Sequence, residues 1–308
     1  MAVNQLTWLA LVLAVTLTTV TETATAKPRI VRNVVYGMYS GLALLMDIHY
    51  PVSPNGLGII FIPGSGWRAP LTLDAAPLKE NAEGTVYAVP LVATGYTVFT
   101  INHRASPRFQ YPAAVKDAQR AVRFIRYHAT DFGIDPHRIG ALGGSSGGYL
   151  ATLLGVLDDR NNAIGDSVIN QVSAKVQAVV ARGAGTDFRS CCGDGFPDRY
   201  VGAVSAFLGY ALQPDADTNS PESQRYAEAS SITHVSSDDA PLLMLHGEAD
   251  DIVPITQAES MQQAYVAAGV PVSLFRIPGG GHDDTFGGVS NPPDYIGAMV
   301  NWFDRYLR

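Results

Sequence analysis

Short apolar runs at 44–50, 58–62, 97–102, 139–142, 178–181, 242–245 and 273–277 alternate with stretches of helical period, and this constrains the fold more than any other feature. Strands alternating with helices build a mostly parallel sheet with helices packed on both faces. Ile59-Ile60-Phe61-Ile62 and Leu242-Leu243-Met244-Leu245 lack polar alternation, as strands buried on both faces require. Pro112 stands at the first turn of a helix running towards Ala129, where its missing N–H costs nothing, and Gly133 lies beyond the end. Thr256 reads as an N-cap with Glu259 reciprocating three residues on, and Gly269 closes that helix. After Gly147-Gly148, Leu150, Leu153, Leu154 and Leu157 share one helical face and form a core stripe. Between 181 and 242 the signals are mixed. That stretch reads as a loop-and-helix insertion over roughly 187–235, the kind of segment that often lies over a site and sets substrate choice.

Composition narrows the partners. With 47% hydrophobic and 16% charged residues in 308, the chain is built to fold, and it reads as one domain over 27–308. Lys+Arg 21 against Asp+Glu 28 gives a formal net charge of -7 with no basic run, so a phosphate backbone finds no electrostatic footprint. Residues 6–20 form an apolar run too short to span a bilayer comfortably, followed by Ala24-Thr25-Ala26. They read as an export leader cleaved after Ala26, which implies a secreted or periplasmic protein with no stable membrane span. The leader departs from the usual pattern in having no Lys or Arg before the run. Cys191 and Cys192 are adjacent, so they cannot staple distant segments. A strained vicinal disulfide, a pairing between molecules and two inert thiols all remain open.

The chemistry centres on Gly143-Gly144-Ser145-Ser146-Gly147, which follows an apolar strand and opens the Leu-striped helix. A strand–turn–helix with Gly two residues either side of a serine is a nucleophile elbow, in which a strained turn lifts the hydroxyl clear of the sheet. A second frame, Gly144-Ser145-Ser146-Gly147-Gly148, puts Ser146 in that position. A serine nucleophile needs a histidine to take its proton and an acid to hold the histidine's tautomer. The strand at 242–245 leads to Asp250, with Asp251 as the alternative acid, and the strand at 273–277 leads to His282. Both loops follow strand C-termini, where open α/β sheets place their sites. Asp283 and Asp284 flank His282, but the spacing suits no metal. Histidines 49, 103, 128, 137, 234 and 246 have no comparable setting. For the oxyanion of a tetrahedral intermediate, the expected donors are the backbone N–H groups of Ser146, Ser65 and Gly66.

The serine–acid–histidine order, Leu45-Met46-Asp47-Ile48-His49-Tyr50-Pro51, Gly64-Ser65-Gly66-Trp67, Asn102-His103-Arg104, Tyr111-Pro112-Ala113-Ala114 and Phe132-Gly133-Ile134-Asp135-Pro136 occur in one order along nearly the whole chain. In this the sequence resembles α/β-hydrolase esterases of the hormone-sensitive-lipase and bacterial feruloyl-esterase-like (BD-FAE) type. The resemblance implies the α/β-hydrolase fold, with a mostly parallel central sheet, helices on both faces and a loop/helix insertion after the fold's sixth strand. Aligning Ser146-Gly147-Gly148-Tyr149-Leu150-Ala151 with the family's Ala-Gly-Gly-His-Leu-Ala selects Ser145 over Ser146. Two departures bear on substrate preference. The family's His-Gly-Gly-Gly-Trp loop begins here with Pro63 and carries Ser65 for its middle glycine, and Asn102-His103-Arg104 replaces Asn-Tyr-Arg.

The expected activity is hydrolysis of short-chain or aryl-acid carboxylic esters through an acyl-enzyme, with Ser145, Asp250 and His282 as the triad and no cofactor. An amidase, arylformamidase or oligopeptidase-type C–N hydrolase runs on the same triad. A non-catalytic binding protein on a hydrolase scaffold is the reading from another class, and it arises where triad members are lost.

Overall fold

The computed structural model describes residues 28–157, 167–191, 196–211 and 217–308. The leader expected over 1–26 lies outside them, as do Cys192, and with it any pairing to Cys191, and parts of the insertion. Eight strands, β1 (Arg29–Tyr39), β2 (Leu42–Tyr50), β3 (Gly58–Ile62), β4 (Thr97–Ile101), β5 (Ile139–Gly144), β6 (Ala178–Arg182), β7 (Leu242–Gly247) and β8 (Val272–Ile277), form one sheet. Its order is β1-β2-β4-β3-β5-β6-β7-β8. β1 and β2 join antiparallel, as do β2 and β4, and every later neighbour is parallel.

The helices are α1 (Val89–Ala93), α2 (Ala113–Tyr127), α3 (Ala129–Phe132), α4 (Ser146–Val156), α5 (Asp198–Leu208), α6 (Pro221–Ala229), α7 (Thr256–Ala268) and α8 (Tyr295–Leu307). Side chains of α2, α4 and α7 pack on one face of the sheet, and those of α1 and α8 on the other. The central strands β3, β4, β5, β6 and β7 are buried along their whole length, which explains the unbroken apolar runs at 59–62 in β3 and 242–245 in β7. The insertion between β6 and β7 contributes α5 and α6.

Three local expectations change. The apolar runs do not announce β1, an edge strand whose register against β2 shifts twice, between Val31 and Val34 and between Val35 and Gly37. Each shift breaks the period-2 alternation by which a half-exposed strand is read. Thr256 is the first helical residue of α7 rather than its cap; Ile255 precedes it with no side-chain capping bond. Glu259 reaches Arg276 on β8 at 2.6 Å instead of closing a capping box. Helix α4 starts at Ser146, before the glycine pair rather than after it, and its exposed face is absent: Tyr149, Ala151 and Thr152 are as buried as Leu150, Leu153 and Leu154. Gly269 does end α7 in the left-handed conformation, with φ 73°.

Candidate active site

Ser145 occupies the single residue between β5 and α4, with φ 52° and ψ −121°. A side chain in that region stores roughly 1–3 kcal/mol of backbone strain, which the surroundings must offset. They do so by gripping both ends of its backbone: Ser145 N–H donates to Arg182 O at 2.6 Å, and Ser145 O accepts from Tyr149 N at 3.0 Å. The flanking glycines are required by contact. A Cβ on Gly143 would strike the backbone of Gly147, and one on Gly147 would strike the Ile62 carbonyl.

The loops after β7 and β8 meet at this turn. His282 Nδ1 lies 2.7 Å from Asp250 Oδ2, and Nε2 lies 2.9 Å from Ser145 Oγ. With Nδ1–H donating to the carboxylate, Nε2 accepts from the serine hydroxyl, so the three side chains make one directional chain of hydrogen bonds. The Asp250 side chain is 1% exposed, and its second oxygen accepts from the N–H groups of Ile252 and Val253. Burial opposes ionisation of Asp250. Hydrogen bonds from His246 and His282 outweigh it, holding the carboxyl well below the usual carboxylate range. Asp251 is exposed. His246, which belongs to no motif, is buried with Nε2 2.8 Å from Val253 O and 3.4 Å from Asp250 Oδ2. Its spacing of four residues from Asp250 was the available signal.

The residues expected to supply oxyanion donors lie beside Ser145. Ser146 begins α4, so its N–H has no partner within the helix and points from the positive end of the helix dipole. The Ser65 N–H donates to Ser146 Oγ at 2.9 Å, so in this structure it is directed at a side chain. Gly66 adopts φ 61°, the left-handed region that glycine enters without strain, and swings the chain into Trp67. Trp67 stacks on Phe207 of α5, with centroids 4.6 Å apart, and meets Tyr149 and Phe188 edge-on. This buried cluster fixes the loop to both α4 and the insertion. Trp67→Ala is expected to destabilise the fold by about 3–5 kcal/mol in urea titration, the usual effect of deleting a buried aromatic.

A cleft of about 350 Å³ opens over Ser145 and His282. Its lining includes Gly64, Ser65 and Gly66, Arg199 and Ala203 of α5, and Ile252 and Asp284. A larger cleft of about 740 Å³, lined by Tyr39, Arg104, Phe109 and Arg120 among others, contains none of Ser145, Asp250 and His282. The convergence of reactive groups, not size, selects the smaller one.

In the wall of the cleft, almost wholly buried, lies an ion pair that no motif signalled. Glu83 and Arg182 pair with side chains 1% and 3% exposed, and the other Glu83 oxygen accepts from Gly64 N–H. Arg182 also donates to His282 O at 2.6 Å and approaches Asp284 Oδ1 at 3.3 Å. Burial opposes the Arg182 charge, but Glu83 more than restores it and raises the pKa above the ordinary arginine value. Burial and then the neighbouring Glu83 raise the Asp284 carboxyl.

Known proteins carry the same architecture. Over 222 residues the chain is 28% identical to LipM of Mycobacterium tuberculosis, a probable carboxylic ester hydrolase, covering 70% of this chain and 47% of that one. It is 25% identical over 264 residues to the esterase LipC of the same organism, covering 82% and 59%. The chain thus spans about half the length of these curated relatives. A solved structure described as a truncated form of a carbohydrate esterase from gut microbiota superposes with a TM-score of 0.72 at 26% identity, covering 91% of this chain and 96% of that one. The fold is therefore that of the α/β-hydrolases. The profile of the BD-FAE family matches residues 46–265, most of the chain, and the chain belongs to that family.

Proposed function

We propose that this chain hydrolyses carboxylic esters of short acyl groups through a covalent acyl-enzyme on Ser145. The observation that carries the reading is the unbroken hydrogen-bond chain Asp250–His282–Ser145 at the mouth of a cleft. Ser145 Oγ attacks the ester carbonyl carbon as its proton passes to His282 Nε2. Asp250 holds the imidazole and stabilises the imidazolium. The carbonyl oxygen becomes an oxyanion facing the N-terminus of α4, where the N–H groups of Ser146 and Gly66 offer donors, those of Gly64 and Ser65 being bonded to Glu83 and to Ser146 Oγ. Collapse expels the alcohol, which takes the proton from His282, and a water molecule activated by the same nitrogen releases the acid.

The shape of the cleft supports a small acyl group joined to a polar alcohol. Apolar side chains there are limited to Ala203 and Ile252, whereas Arg68, Asn81, Glu83, Arg182, Arg199, Asp283 and Asp284 also line it. The relatives' names, ester hydrolase and carbohydrate esterase, agree with this. The test is a series of p-nitrophenyl acetate, butyrate and octanoate beside the matched acetanilide. The expected result is kcat/KM at least about tenfold higher for acetate or butyrate than for octanoate, since each misplaced methylene weighs roughly 1–3 kcal/mol in such a pocket. Faster turnover of octanoate would contradict the short-acyl assignment, and faster turnover of the anilide would replace ester hydrolysis with C–N cleavage.

A further inference from the structure

We propose that Glu83 and Arg182 are positioning residues: one buried ion pair that fixes the oxyanion loop, the serine turn and the histidine loop at their working separations. The inference rests on the serine-hydrolase reading above. Three loops far apart in sequence must keep reacting atoms aligned to a fraction of an ångström, and a misplacement of about 1 Å in such sites lowers rate by about 10²-fold. Hydrogen bonds within any single loop cannot set distances between loops.

This pair touches all three. On the oxyanion side, Glu83 accepts from Gly64 N–H, and Asn81 Nδ2 donates to Gly64 O at 2.7 Å, so the peptide groups flanking Gly64 are held at both polarities. Asn81 Oδ1 accepts from Glu83 N–H at 3.2 Å, which ties the two braces together. On the histidine side, Arg182 Nη1 donates to the carbonyl of His282 itself at 2.6 Å and reaches that of Asp283 at 3.4 Å. At the serine, the Arg182 carbonyl accepts the Ser145 N–H. The strut passes through the space a side chain at position 144 would fill: a Cβ on Gly144 would strike the Glu83 carboxylate and lie 2.6 Å from Arg182 Nη2. Gly144 is not one of the two glycines that the serine turn itself needs, and this passage accounts for it.

The geometry separates this role from catalysis proper. Neither side chain bonds to Ser145 Oγ or to the imidazole nitrogens of His282, whose hydrogen-bond partners are each other and Asp250. Weakening the strut should therefore displace donors and base relative to the serine while the cleft still admits substrate, so kcat falls and KM holds. Two substitutions do this with different side effects. Glu83→Gln keeps the shape but offers one oxygen where two donors converge. Glu83→Asp keeps the charge, so Arg182 is not left buried alone, but is one methylene too short to reach Gly64 and Arg182 together.

The experiment measures turnover of p-nitrophenyl acetate by the wild type, E83Q, E83D and S145A, with active sites of the first three counted by an irreversible phosphonate titrant and their rates expressed per titrated site, and the rate of S145A expressed per folded chain. A merely structural role lowers the fraction of titratable sites and leaves kcat per site alone. The strut predicts kcat per site down about 10²-fold in E83Q and about tenfold in E83D, with KM within about threefold of wild type in both. If E83Q does not fold, E83D carries the test. Wild-type kcat per site in folded E83D, or a loss confined to KM, overturns the proposal. Residual wild-type turnover in S145A would overturn the serine reading instead, so the two failures are distinguishable.

Discussion

Replacing Ser145 by alanine is expected to lower kcat for p-nitrophenyl acetate by about 10⁵- to 10⁶-fold while the thermal transition stays close to wild type. The rate loss follows from removing the only atom in the hydrogen-bonded chain that can form the acyl bond. Little should change in stability, because the Ser145 hydroxyl bonds only to His282 Nε2 and the turn is held by backbone contacts to Arg182 and Tyr149. Alanine at a positive φ is strained much as serine is, so the substitution leaves that term in place. Ser146→Ala supplies the contrast. Its hydroxyl accepts from Ser65 N–H and lies outside the chain to Asp250, so turnover should survive at a far higher level. Stopped-flow release of p-nitrophenolate by the two variants decides between the serines.

Asp250→Asn should be the second large effect, about 10⁴-fold in kcat, with geometry nearly preserved. An amide nitrogen opposite Nδ1 would favour the imidazole tautomer that carries its proton on Nε2, and that nitrogen could then no longer accept from Ser145. The same substitution has a consequence for stability. Asp250 ionises more readily folded than unfolded, because His246 and His282 outweigh its burial. A carboxyl depressed on folding contributes stability fully above its ordinary value of 3.8 and loses it as pH falls through the lower folded value. The wild-type thermal midpoint should therefore drop as pH is lowered below about 4, and D250N should lack that component of the drop. Calorimetric scans between pH 7 and pH 3 measure it.

The sequence disclosed the fold where burial is symmetric and hid it where burial is broken. Ile59 to Ile62 and Leu242 to Leu245 are buried on both faces, so each residue independently reports a central parallel strand. The edge strand β1 exposes much of its length and bends at two irregularities, and no fixed period survives in its residues. The capping reading at Thr256 failed for a different reason: Glu259 had a better partner in Arg276, seventeen positions away on a neighbouring strand, and local pattern cannot foresee a tertiary competitor.

The candidate site divides in the same way. Ser145, Asp250 and His282 each stand just past a strand end, and that local context made them legible as candidates. Glu83 carries no such mark, and Arg182, although it follows the apolar run at 178–181, belongs to no motif. Glu83 precedes an irregular helical stretch, Arg182 is the last residue of β6, and the two are 99 positions apart. Their pairing exists only once β6 lies beside β5 and the segment after β3 folds back over Gly144. The Ser65–Ser146 contact was equally invisible, since the two residues are 81 positions apart and only the structure puts Ser65 N 2.9 Å from Ser146 Oγ.

The central claim is that one serine is activated at the meeting of three loops. Its most direct measurement is reaction of the folded protein with a fluorophosphonate, followed by mass spectrometry of the digested product. The account predicts one adduct per chain, on Ser145, formed much more slowly in H282A. An adduct on Ser146 or elsewhere, or no adduct on protein that is folded and hydrolyses esters, would contradict it.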